Sequence, residues 1–353
     1  MPPTNDHIIR PRLPVWIINA GISLLILALY PLHRLTSEYT DPYFLRVIVL
    51  IGLNIILATS LNLVNGITGQ FSLGHAGFMA VGAYVTGAAM KHYAPTGVPG
   101  EFTFLALLLV GGLFAALAGL LVGIPTLRLR GDYLAIATLG FGEIIYTLII
   151  NTERIGGTDA DPLFEIGGSS GLHGIPIFTN FFWAYAAVVV AVVTVWRLAY
   201  SAKGLAFRSI REDEIAAGAM GVDTTYFKVA AFVIAAFFAG LAGGLIATYD
   251  GNVAPESFRF MRSIEIVVMV VLGGSGSITG AILAAIVLTW LPEQLRFSSE
   301  WRMVIYSLIL IGMMLLRPEG LLGSREIWWS RRKPAPRREL EPVNVPDANP
   351  PAP

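Results

Sequence analysis

Glu143 sits in Gly140-Phe141-Gly142-Glu143, well inside an apolar run. A carboxylate in such a place is a functional candidate by default, and its plainer alternative is a pair with a neighbouring helix. Gln70, Ser72 and His75 occupy the glycine-rich stretch Asn65–Gly87 and need partners wherever that stretch is dehydrated. His75 would serve as a gate or protonation site, although a hydrogen-bonded packing histidine is the more ordinary reading. Gly273-Gly274-Ser275-Gly276 interrupts the apolar region 263–291. Non-helical backbone in such surroundings either is buried in protein or lines a cavity. The simpler reading is that these glycines let helices pack closely. Glu265, near an end of its apolar run, reads as a solvated anchor, and Asp159 with Asp161 is a weak cation signal lacking the rest of a calcium loop.

Catalytic sets are missing. The chain has no cysteine, which removes disulfides, thiolate metal sites and cysteine nucleophiles. The histidines (His7, His33, His75, His92, His173) are scattered, and neither HExxH nor GxSxG occurs. The lysines (Lys91, Lys203, Lys228, Lys333) include none in a GxxxxGK[ST] loop, so the chain cannot cradle a nucleotide phosphate in that way. No catalytic residue, metal or cofactor is expected.

The elements that must position these residues are membrane helices. Of 353 residues, 55% are apolar and 14% charged, and the mean hydropathy is +0.66. A soluble domain carries about 25% charged residues, so a water-soluble enzyme is close to excluded. A net charge of +0 argues against a nucleic-acid partner. Gly 37, Trp 7 and Tyr 12 suit close helix packing and interfacial anchors. The expected fold is an all-α polytopic membrane protein. It has about 8–10 transmembrane helices at roughly 20 residues each, counting the Gly-broken or re-entrant segment at 263–291. Spans are expected near 14–30, 44–64, 71–90, 102–124, 132–150, 180–199, 224–248 and 301–316. With the amino terminus inside, sixteen Lys and Arg face the cytoplasm against eight outside, as the positive-inside bias requires. Residues 1–13 and 318–353 are then cytoplasmic ends, the latter largely disordered by composition. The region 14–317 is the membrane domain, and 151–180 faces out. A basic tail inside requires one or three crossings after 249–262. Region 263–291 is therefore either a re-entrant hairpin or two short crossings joined at the break.

The cytoplasmic loop 200–223 is the most informative. Ser209, three residues before Glu212, forms a capping box, so a helix is expected from about Ile210. Ala216, Ala217 and Ala219 keep it small, Gly221 ends it, and Asp223 can cap the next span. Such a helix suits another protein's cleft; the bland alternative is a solvated loop helix.

Together these stretches resemble one family. Gly69-Gln70-Phe71-Ser72-Leu73-Gly74-His75-Ala76-Gly77-Phe78, Arg211–Gly221 with the following Tyr226–Gly244, Ser263–Gly280, and Arg317–Gly323 are similar to branched-chain amino-acid ABC importer permeases. The Gln-Phe-Ser-Leu-Gly-His version resembles the LivM-like type of subunit. The resemblance implies a permease with a second homologous LivH-like permease subunit, two cytoplasmic ATP-binding subunits and an extracytoplasmic substrate-binding protein, in a bacterial inner membrane. It also implies that Arg211, Glu212, Asp213, Glu214, Ala216, Ala217 and Gly221 form the ATPase-coupling segment. Ile215 after Glu214 departs from the broader Glu-Ala-Ala-x-x-x-Gly pattern, and the later Ile-x-Leu-Pro is absent. The candidate translocation path then comprises Gln70, Ser72, His75, Glu143, Gly273 and Gly274. Branched-chain or related apolar amino acids are the expected solutes. Urea or short amides are the alternative within the family, and an ion-coupled secondary transporter using Glu143 or His75 is the alternative outside it. A membrane-embedded enzyme ranks third.

Overall fold

The computed structural model describes residues 23–24, 26–34, 41–93, 100–126, 129, 131–157, 162–295, 302–317, 320–323 and 326. Expectations for 1–13, for the start of the first span, for Asp159 and Asp161, and for the tail beyond 326 lie outside the described residues. Residues 26–34 are helical. There follow α1 (Pro42–Asn62), which continues through a π-helical turn at Leu63–Ile67, α2 (His75–Tyr93), α3 (Gly100–Thr126) and α4 (Asp132–Ile150). Short strands β1 (Arg154–Gly157), β2 (Pro162–Glu165) and β3 (Leu172–His173) precede α5 (Phe181–Ala199). The loop helices α6 (Ala202–Glu212) and α7 (Glu214–Ala219) lead into α8 (Thr224–Asp250) and β4 (Asn252–Val253). The described helices end with α9 (Phe260–Gly273), α10 (Ile278–Gln294) and α11 (Arg302–Leu316). This is an all-α membrane protein. Five of these helices are long and apolar enough to cross by themselves: α1 with its π turn, α3, α4, α5 and α8.

The core is the contact of α2 with α8 and α3. Small residues set its tightness. A Cβ at Gly82 would strike the backbone of Gly240, and one at Gly243 would strike the Met79 carbonyl. Without a hydrophobic drive between helices in lipid, such close backbone approach is the main source of association. Phe78 meets Phe232 edge-on in the same core, with ring centroids 5.4 Å apart. Phe102, Leu113 and Leu121 on the far side of α3 are exposed, as a lipid-facing surface requires.

The region 263–291 forms two short antiparallel helices joined at the glycines. Asn54 of α1 marks one depth for both: Arg262 of α9 donates to its Oδ1 at 2.7 Å, and its Nδ2 donates to Thr289 Oγ1 of α10 at 2.8 Å. The Tyr43 hydroxyl at the start of α1 donates to the Glu293 carboxylate near the end of α10. Arg46 pairs with Asp250 at 3.3 Å, so the start of α1 and the end of α8 share a side. Glu265 is paired with Arg262 at 2.8 Å rather than simply solvated. On that same side, β3 pairs with β4, and Lys91 reaches Glu165 of β2 at 2.6 Å. Among the described residues of 151–180, β1 pairs with β2 and β3 with β4.

Candidate functional site

At the opposite end, three interruptions of regular helix meet. α1 passes into the π turn because the Thr68 hydroxyl takes the Leu63 carbonyl at 2.6 Å and the Val64 carbonyl at 3.1 Å. Asn62 then clamps the glycine break between α9 and α10: its Nδ2 donates to the Ser277 carbonyl at 3.0 Å, and its Oδ1 accepts from Gly276 N at 2.9 Å. Gly66 lies so close to Gly276 that a Cβ would not fit. Gly274, at φ +105, abuts Gly320 and Gly323, while Leu321 N donates to the Leu272 carbonyl at 2.7 Å. The Glu326 carboxylate accepts from Ile278 N at 2.7 Å and from the Thr279 hydroxyl at 2.6 Å, capping α10. Gly273 and Gly274 thus lie against the backbones of Gly280 and Gly323. Asn62 and Glu326 were not singled out by the sequence, although an Asn at the end of an apolar helix is a signal that a polar partner waits there.

The loop 200–223 folds as two helices, not one. Ser201 caps α6 by accepting from Gly204 N at 3.3 Å, so Ser209 falls inside that helix and donates to the Ala206 carbonyl. The capping role passes to Asp213, whose Oδ1 accepts from Ile215 N at 2.8 Å and Ala216 N at 3.0 Å. A carboxylate at this position satisfies two orphan donors and favours the positive end of α7, which overrides the weaker Ser209 signal. Gly221 turns at φ +86, and Asp223 Oδ1 accepts from Tyr226 N at 3.0 Å to start α8, as the sequence implies. Glu214 is engaged within the chain, pairing with the buried Lys228 Nζ at 2.6 Å. Ala217 is 4% exposed and packs inward, whereas Ile215 (69%) and Met220 (85%) are exposed, as are Ala216, Gly218 and Ala219. Glu212 and Asp213 are exposed beside them.

Residues 69–74 are not helical, so α2 begins at His75 rather than at 71. This segment climbs from the π turn, where Gln70 N donates to the Val64 carbonyl, to α4, where Leu73 N donates to Thr138 Oγ1 at 3.0 Å. Thr138 is about 9 Å along α4 at 1.5 Å per residue, so the segment meets that helix well inside its length. Ser72 is tied by backbone to Asn65, with its N donating to Asn65 Oδ1 at 3.1 Å. His75 is buried, and its Nε2 lies 3.0 Å from Ser60 Oγ. Gln70 differs. It is 4% exposed, yet both side-chain amide atoms lack a partner among the described residues. Glu143 follows Gly142, which faces Gly74, but sits on the open side of α4. Its carboxylate has no partner among the described residues, and a Cβ at neighbouring Gly140 would meet nothing within 4 Å. Gln70 and Glu143 thus keep unused polar capacity among the described residues, whereas His75 meets Ser60 and the backbones of Gly273 and Gly274 abut neighbouring backbone.

Comparison with known proteins agrees with this architecture. Residues 43–316 match the family described as branched-chain amino acid transport system, permease component. The LivM high-affinity branched-chain amino acid permease protein of Salmonella typhimurium is 41% identical over 292 residues, covering 76% of this chain and 67% of that one. The corresponding LivH protein of Escherichia coli K12 is 25% identical over 285 residues, covering 77% and 92%. The autoinducer 2 import permease LsrC of Yersinia pseudotuberculosis is 26% identical over 217 residues, covering 58% and 60%. No solved structure matches. This multi-pass membrane chain belongs to the family of branched-chain amino acid transport system permease components.

Proposed function

We propose that the chain is the permease subunit of an ATP-driven, binding-protein-dependent importer for leucine, isoleucine, valine or related apolar amino acids. It would work with two cytoplasmic ATPases, an extracytoplasmic binding protein and a second, homologous permease subunit. The similarity to both LivM and LivH proteins supports the pairing. Helices α6 and α7 and the glycine break would face the cytoplasm, and 151–180 would face out.

One observation carries the reading. α7 is a capped helix of 6 residues that exposes Ile215 beside Ala216, Gly218 and Ala219, with the exposed Met220 just after it, at the end of the molecule where the helix interruptions meet. Apolar groups presented on a short rigid helix have no use in water, and they fit a cleft in a partner. ATP-driven closure of the ATPases would move α7 and switch the spans between outward- and inward-open states. The binding protein would supply most of the specificity.

The path would run along the open face of α4. A bare carboxylate at the bilayer centre costs about 2.5–3.5 kcal/mol on insertion scales. Glu143, about 16 Å into α4, would therefore face the second permease subunit and a hydrated path rather than lipid. Gln70 would offer its spare amide to the passing solute, whose weak holding permits release.

Gly218→Arg tests the docking. A Cβ at Gly218 meets nothing within 4 Å, so the variant should insert normally. A charged side chain in a desolvated cleft should lower recovery of the ATPases with the permease by about tenfold or more. Wild-type recovery would refute α7 as the docking helix.

A further inference from the structure

We propose that Arg211 is the positioning residue through which movement of α7 reaches the interrupted membrane helices. This rests on the reading of α7 as the ATPase-docking helix, and it gives Arg211 a role other than contact with the ATPase. Arg211 lies in the last turn of α6, two residues before the Asp213 that caps α7. Its guanidinium turns back toward the membrane. Nη1 donates to the Gly66 carbonyl at 2.7 Å and reaches the Ser275 carbonyl at 3.5 Å. Those carbonyls belong to two different interruptions, the π turn after α1 and the break between α9 and α10.

The berth is cut to the side chain. Gly69, at φ +73, lies against the stem, where a Cβ would come within 3.0 Å of Arg211 Cγ. A Cβ at Gly276 would come within 2.5 Å of Nη1. Carbonyls at helix interruptions lack their usual helical donor, and a permanently charged, planar group with several N–H donors can serve two of them at once. An ammonium is a point charge that does so poorly.

From Gly69 the chain runs directly through 70–74 to His75 and α2, so a pull on Arg211 acts on the segment that carries Gln70. The same pull acts on the turn of the α9–α10 hairpin. The Glu214–Lys228 pair, on the other side of Asp213, fixes α7 to α8. Displacement of α7 therefore reaches three membrane elements through named contacts, the contiguous physical link that a coupling claim needs.

The test uses the full transporter in proteoliposomes with its ATPases and binding protein, reading solute taken up per ATP hydrolysed. Arg211→Gln should lower that ratio about tenfold at normal assembly, within the range of coupling changes seen for residues touching neither ligand. Arg211→Lys should restore part of the loss. An unchanged ratio in Arg211→Gln would overturn the proposal. Failure of both variants to assemble would also overturn it, since it would reduce Arg211 to a folding role. Gly218→Arg separates this from the docking reading: that variant loses the ATPases, whereas Arg211→Gln keeps them and wastes their ATP.

Discussion

The packed centre of α2, α3 and α8 and the junction of interruptions at the end opposite the strands solve different problems. In the centre, helices touch backbone to backbone through Gly82, Gly240 and Gly243, and the contact is made by small and apolar groups apart from the buried Thr86 hydroxyl. At the junction, contact runs through side chains that borrow backbone groups: Asn62, Arg211 and Glu326 each bridge elements by hydrogen bonds. Dense apolar packing has one arrangement, because every small shift loses contacts across a whole face. Hydrogen bonds to unpaired carbonyls and N–H groups can be exchanged for water or for another partner at modest net cost. The centre thus suits a body that moves rigidly, and the junction suits the place where it bends.

Substitutions can break that contrast. Gly243→Leu should have the largest effect, because it forces a branched side chain onto the Met79 carbonyl and the backbone at Ala83. Overpacking of this sort costs about 1–3 kcal/mol or more, and here it separates two helices. Folded, protease-resistant protein recovered from membranes should fall sharply, and normal recovery would mean that the centre is looser than its glycines imply. Asn62→Leu should be milder in yield and more specific. It leaves Gly276 N unpaired at about 1–3 kcal/mol when buried, while the Ser277 carbonyl keeps its bond from Ala281 N. Hydrogen exchange at 273–278 should rise while α2 and α8 stay protected. Equal loss of protection in both regions would show that centre and junction form one cooperative unit.

Much of the centre was legible in the sequence, because long apolar runs and glycine frequency determine it directly. The run 71–90 failed at its first turn. Residues 69–74 are held out of the helix by Thr138 and Asn65, partners that lie elsewhere in the chain. The junction was legible only as a list of suspects. Gly273–Gly276 announces a break, but whether it lines a cavity depends on Asn62, Gly66 and Gly323 arriving from two other segments. Lys228 inside an apolar helix did carry a signal, since a buried ammonium requires a carboxylate, and Glu214 lies in the adjoining loop. Polarity alone could not separate His75, already satisfied by Ser60, from Gln70, which is not.

The central claim is that ATPases docked on α7 drive a solute past this chain. Uptake of radiolabelled leucine into proteoliposomes containing the full transporter tests it most directly, with and without ATP, binding protein and a protonophore. The account predicts uptake that requires both ATP and the binding protein and is indifferent to the protonophore. Uptake driven by an ion gradient in the absence of ATP, and abolished in Glu143→Gln, would contradict it.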